Sequence, residues 1–169
     1  MRHTINEKNF REIKNELIRL AHKYGGTVRI KNEEKSDSHG EFLLPDKRIT
    51  VYGANKRPKL AVLATLAHEV RHLMQYKSRK YKNAFDGRHY TIYNAIMENK
   101  QIPKYKNYEL PDEDMFYQIE IEATKWAVDF LKERGYYRSE GFLPKDATFA
   151  YEFYQLLDRL DIPKESIGA

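Results

Sequence analysis

Ala67-His68-Glu69-Val70-Arg71-His72 lies near the middle of the chain, and its reading decides most of the fold. The pattern H-E-x-x-H sets two histidines four residues apart, and residues i and i+4 stand one above the other on a helix. Both imidazoles then reach one metal ion at about 2.0–2.1 Å. The intervening Glu69 points beside them, toward a water on that metal. The bland alternative is that two histidines and a glutamate fell together on a solvated helix face. The flanking residues argue against it, because at about 100° per residue Val62, Leu63, Leu66, Val70, Leu73 and Met74 fall opposite His68 and His72. The back of this helix is expected in the core. Ala61, Ala64 and Thr65 lie on the histidine side and are all small, which predicts a floor with room for a metal and a substrate. Arg71 and Gln75 flank the pair, and each reads either as a supporting donor or as solvated. The helix is predicted over residues 58–77, starting at Pro58, where a missing N–H costs nothing.

Upstream, Phe10, Ile13, Leu17, Leu20 and Tyr24 recur at three- and four-residue spacing before Gly25-Gly26, which predicts a helix over residues 6–24. Residues 27–31 alternate like a half-buried strand, and a polar loop follows from Asn32 to Gly40. Two further short extended runs, 41–44 and 48–52, flank Pro45-Asp46-Lys47 and read as a hairpin. Downstream, a short helix is expected over 90–99. A long one opens at Pro111 with an acidic first turn that suits the helix dipole, and ends at Gly135. A last helix is expected over 146–160. The order gives an α+β class, with a small antiparallel sheet packed on a helix bundle.

A catalytic zinc usually has three protein ligands plus water, so a third must come from elsewhere in the chain. The helix after Pro111 carries the apolar stripe Phe116, Ile119, Ala123, Trp126, Ala127 and Phe130. Rotation by about 100° per residue sets Glu120 inside that stripe and Glu122 outside it. A carboxylate on the core side is costly unless paired or metal-bound, so Glu120 is the preferred third ligand. Glu122 and the downstream His89 are its rivals, and Glu113, two turns before Glu120, is a weaker candidate.

The chain has 169 residues, enough for one domain over 1–169, and contains no cysteine, which excludes thiolate metal sites and leaves histidine and carboxylate. Its first residues lack the apolar core of a secretory leader, and no run approaches the roughly 18 apolar residues of a membrane span. A cytoplasmic protein without a membrane role is therefore expected. The 30 Lys plus Arg exceed the 25 Asp plus Glu, giving a formal charge of +5 that permits acidic partners without requiring them.

The stretch from Ala67 to His72, followed by Glu120-Ile121-Glu122-Ala123-Thr124-Lys125-Trp126-Ala127, resembles the zincin metallopeptidases of gluzincin type. More narrowly, it looks like the ImmA/IrrE-like family of phages, mobile elements and bacteria. Thr124 stands where that family usually has asparagine, and the connection over 78–110 is longer than the typical one. The resemblance implies a zincin-like fold and a Zn2+ ion on His68, His72 and Glu120. It implies Glu69 as the catalytic base and a protein or peptide as substrate. In zincins the strand before the metal helix lines the cleft and pairs with an extended substrate, a place that residues 49–52 hold. For the oxyanion, Arg71, His89, Tyr90, Tyr93 and Tyr117 are all on offer. The competing expectation is a regulatory or nucleic-acid-binding protein of zincin fold without hydrolysis. It draws on Lys77, Arg79, Lys80, Lys82 and Arg88 interleaved with Tyr76, Tyr81 and Tyr90.

Overall fold

The computed structural model describes residues 4–35, 38–81 and 113–136, with side chains in the last stretch described for Ile119, Glu120 and residues 122–136. Helix α1 spans Glu7–Lys23. Asn6 caps it by accepting from the Asn9 N–H at 2.8 Å, and Glu7 meets the positive end of the helix dipole. It ends because Gly25 takes φ 80°, where a side chain would be strained; the Gly25 and Gly26 N–H groups then close on the carbonyls of His22 and Ala21, each at 3.0 Å. Ile13, Leu17 and Ala21 form its buried stripe and turn toward the long helix that follows the sheet.

Three strands come next: β1 (Thr27–Ile30), β2 (Gly40–Leu43) and β3 (Arg48–Val51), in the spatial order β1-β3-β2. The expected hairpin is present, with β2 antiparallel to β3 and Gly40 opposite Val51. The expectation of an antiparallel sheet is corrected: β1 runs parallel to β3, with Thr27 opposite Arg48 and Ile30 opposite Val51, so the sheet is mixed. Being central, β3 is bonded on both edges, and its Ile49, Thr50 and Val51 are all buried, the continuous run of a covered strand.

Helix α2 spans Lys59–Lys77 and α3 spans Glu113–Glu133. α2 packs on α1, on β2 and β3, and on α3. Burial on every side is what a helix apolar nearly all round requires. It also corrects the two-faced expectation, since the histidine side is covered as well: Ala61, Ala64 and Thr65 are buried along with Leu63, Leu66 and Leu73. α3 closes on itself as α1 does, with Gly135 at φ 84°, and is tied to α1 by Arg134 to Glu16 and by Asn9 Nδ2 donating to the Tyr136 hydroxyl at 2.8 Å.

Element boundaries agree with the sequence-based expectation within one or two residues. The helices expected over 90–99 and 146–160 lie outside the described residues, as do His89, Tyr90 and Tyr93. No described helix is long and apolar enough to cross a membrane. At the C-terminal end of α2 and just past it, Lys77, Arg79 and Lys80 are exposed, whereas Tyr76 and Tyr81 turn inward. Tyr81 belongs to the core, and the Tyr76 ring lies 6.1 Å from that of Phe42.

Candidate metal centre

The burial of α2 places four polar side chains, His68, Glu69, His72 and Gln75, in the middle of the molecule. Each needs a partner there, since an unmatched buried polar group costs roughly 2–7 kcal/mol. α3 supplies the first. Glu120 reaches across so that Oε2 lies 3.2 Å from His68 Nε2 and Oε1 lies 3.1 Å from His72 Nε2. The two rings meet edge to face with centroids 4.5 Å apart. Among the described residues His68, His72 and Glu120 form the group whose ligand atoms converge, all within 4.8 Å of one another. Two atoms each bound at about 2.0–2.1 Å to a tetrahedral ion stand about 3.3 Å apart, so the separations between Glu120 and the histidines would suit ligands of one ion as well as the direct ion pair they make without one.

Helix phase separates the two glutamates as expected. Residues two apart on a helix point about 160° from each other. Glu122 therefore leaves the histidines and receives Arg71, whose Nε sits 2.8 and 3.0 Å from its two oxygens and whose Nη2 sits 2.5 Å from Oε1. Arg71, offered by the sequence as a supporting donor or as solvated and as one of five oxyanion candidates, is engaged in this clasp. Its guanidinium also lies 5.6 Å from the Trp126 ring centroid.

Two residues stand behind the histidines: Gln75, which the sequence offered as a supporting donor or as solvated, and Thr124, which it marked only as a departure from the family pattern. Gln75, one turn beyond His72 and 1% exposed, places Oε1 2.8 Å from His72 Nδ1. Thr124, one turn beyond Glu120, places its hydroxyl 3.2 Å from His68 Nδ1. Each imidazole is thus held from behind through Nδ1 while Nε2 faces Glu120. The signal in the sequence was spacing alone: Gln75 follows His72 by three residues and Thr124 follows Glu120 by four, both on the inward faces.

Electrostatics match this arrangement. Burial alone would disfavour the His72 cation, but the facing Glu120 carboxylate outweighs it and raises the imidazole above its ordinary 6.5. Burial likewise works against the Glu120 anion, yet the two histidines hold its carboxyl far below the ordinary 4.5. The pair is poised to be ionic when no metal competes for it.

Glu69 stands outside the converging group and faces β2. A Cβ placed on Gly40 would come 3.2 Å from Glu69 Cγ and 2.6 Å from Thr65 Cγ2. Only glycine lets the strand lie so close to this turn of α2. Arg57 covers the turn before it, with Nη2 donating to Thr65 Oγ1 at 2.8 Å. The small-residue floor is therefore occupied, by β2 and by Arg57. The expectation that residues 49–52 pair with a substrate is also corrected: both edges of β3 are taken, and the strand at the sheet edge beside Glu69 is β2. His89 lies outside the described residues, and so do the side chains of Glu113 and Tyr117.

No protein-family profile matches this chain, and neither curated proteins nor solved structures give a match.

Proposed function

We propose that this chain is a zinc-dependent peptidase of zincin kind, with His68, His72 and Glu120 holding the ion and Glu69 acting as the base. The observation that carries the reading is the placement of one carboxylate against both Nε2 atoms, at 3.2 and 3.1 Å, from a second helix. Two imidazoles and a carboxylate are a donor set that suits zinc, and three protein ligands leave a position open for water. The likeness of the two motifs to the ImmA/IrrE-like peptidases supports the same assignment.

Zinc, when bound, supplies a Lewis acid and lowers the pKa of an adjacent water. Glu69, the neighbour of His68 on α2, takes the proton of the attacking water and returns it to the leaving amine. Its burial at 8% exposure keeps the carboxylate out of bulk solvent. An extended protein or peptide substrate pairs along the outer edge of β2, where Gly40 keeps the backbone close to Glu69. A nucleic-acid role is less well supported, because Tyr76 and Tyr81 pack inward rather than offering faces for base stacking.

The proposal is tested with purified, zinc-loaded protein and its Glu69→Gln variant on a denatured-protein digest panel. The amide preserves shape and removes the base, so the variant should retain zinc and fold while hydrolysis falls by a factor of about 100 or more. Equal hydrolysis by both proteins would exclude Glu69 as the base.

A further inference from the structure

Three parts of the chain meet at the turn between β2 and β3. The Thr27 N–H donates to the Lys47 carbonyl at 3.1 Å, and a Cβ built on Gly26 would come 2.9 Å from that same oxygen and 2.5 Å from Leu73 Cδ2. The end of α1, the turn and the last turns of α2 therefore share one end of the molecule. Over residues 21–27, 44–48 and 73–81 they bring Lys23, Lys47, Arg48, Lys77, Arg79 and Lys80 together with a single acid, Asp46. Among the described residues none of these six cations forms an ion pair, whereas Lys31, Lys35, Lys56, Lys59, Arg71 and Arg134 each do. The amines of Lys47 and Lys77 lie within hydrogen-bond reach of each other, and that contact lowers the Lys77 pKa from its ordinary 10.5. Like charges held side by side repel, and an anion placed between them is attracted by both. Helix dipoles account for Lys23 and Lys77, which stand in the last turns of α1 and α2. They do not account for the other four, on the turn, on β3 and past the end of α2.

We propose that this end of the molecule binds the phosphate backbone of duplex nucleic acid, through charge and without regard to base sequence. A protein partner would draw its affinity from aromatic and apolar anchors at the centre of an interface. Here Tyr24, Tyr76 and Tyr81 all pack against the core instead. The same inward turn removes the stacking faces that a single strand uses. Phosphate neutralisation needs only cations on an open face, and Lys23, Lys77, Arg79 and Lys80 are exposed. The surface uses none of the metal-centre residues and would serve a peptidase or a non-hydrolytic protein alike.

Fluorescence anisotropy of the full chain with a labelled duplex of about 20 base pairs, between about 50 and 200 mM salt, tests this surface. Two duplexes of unrelated sequence should bind alike, with log K falling linearly against log salt. The triple variant Lys47→Gln, Lys77→Gln, Lys80→Gln should weaken binding by about 10-fold or more at low salt and flatten the slope by about 2 to 3. Lys31→Gln with Lys56→Gln, at the other end of the sheet, should change neither. Absence of duplex binding at the lowest salt overturns the proposal, and so does a triple variant that binds like the wild type. Equal losses from both sets would reduce the effect to net charge and overturn it too. Tighter binding to poly-glutamate would assign the face to an acidic protein, and tighter binding to the single strand would require stacking; either result contradicts a duplex-backbone surface.

Discussion

Glu120 and Glu122 are chemically identical and two positions apart, yet one faces two imidazoles and the other a guanidinium. Replacing Glu120 by alanine should therefore lower zinc affinity by several orders of magnitude, as read by competition with a chromophoric chelator. Glu122→Ala removes the partner of Arg71 and of Gln75 but no group that faces the histidine Nε2 atoms, and should cost roughly 10-fold. The facing ion pair also makes the metal-free protein sensitive to pH. The His72 contribution is fully present below 6.5 and is lost as pH rises through its raised value. The Glu120 contribution is present above 4.5 and is lost as pH falls toward its depressed value. The chelated chain should thus melt highest between those two values and lower on either side, and Glu120→Gln should flatten the profile. Were zinc held by His72 as proposed, it would compete with a proton there, so its affinity should weaken as pH drops through the raised value. At this scale the convergence of His68, His72 and Glu120 was legible in the sequence because helical spacing encodes direction. Gln75 was legible only as a donor or a solvated residue, and the contact of Thr124 with His68 was not legible, because it crosses between two helices whose distance no spacing reveals.

Elements were legible where their ends carry chemistry. Asn6, Gly25 and Gly135 mark termini that the structure places within one or two residues. The parallel pairing of β1 with β3 was not readable, since alternation reports which side of a strand is buried and says nothing about its neighbour. Ile49, Thr50 and Val51 are all buried, and that unbroken run of β-branched residues is the one trace of a central strand. Gly40 brings the sheet close against α2. Gly40→Val places carbons on Thr65 and Glu69, so β2 must move outward. A loss of about 1–3 kcal/mol in chemical denaturation follows from such overpacking. If the proposed function holds, the displaced strand should also cut hydrolysis more than it cuts zinc content, because the β2 edge would move while His68, His72 and Glu120 stay.

At the scale of the whole molecule, α2 is the axis on which everything else is hung: α1, the sheet and α3 each cover one side of it. The motif pointed to an open histidine face, and the error lay in reading a helix in isolation, since small residues on one side serve equally as a substrate floor and as a seat for another layer. The three layers bury His68, Glu69 and His72, and such burial would strengthen electrostatic interactions there if the proposed hydrolysis takes place. The whole account turns on the ion itself. Crystals grown with zinc and measured at the zinc absorption edge test it most directly. One anomalous peak per chain is predicted, about 2.0–2.1 Å from Nε2 of His68 and of His72 and about 2.0–2.2 Å from a Glu120 oxygen. A peak on Glu122 or on Nδ1 of His72, or no peak between α2 and α3, would contradict it.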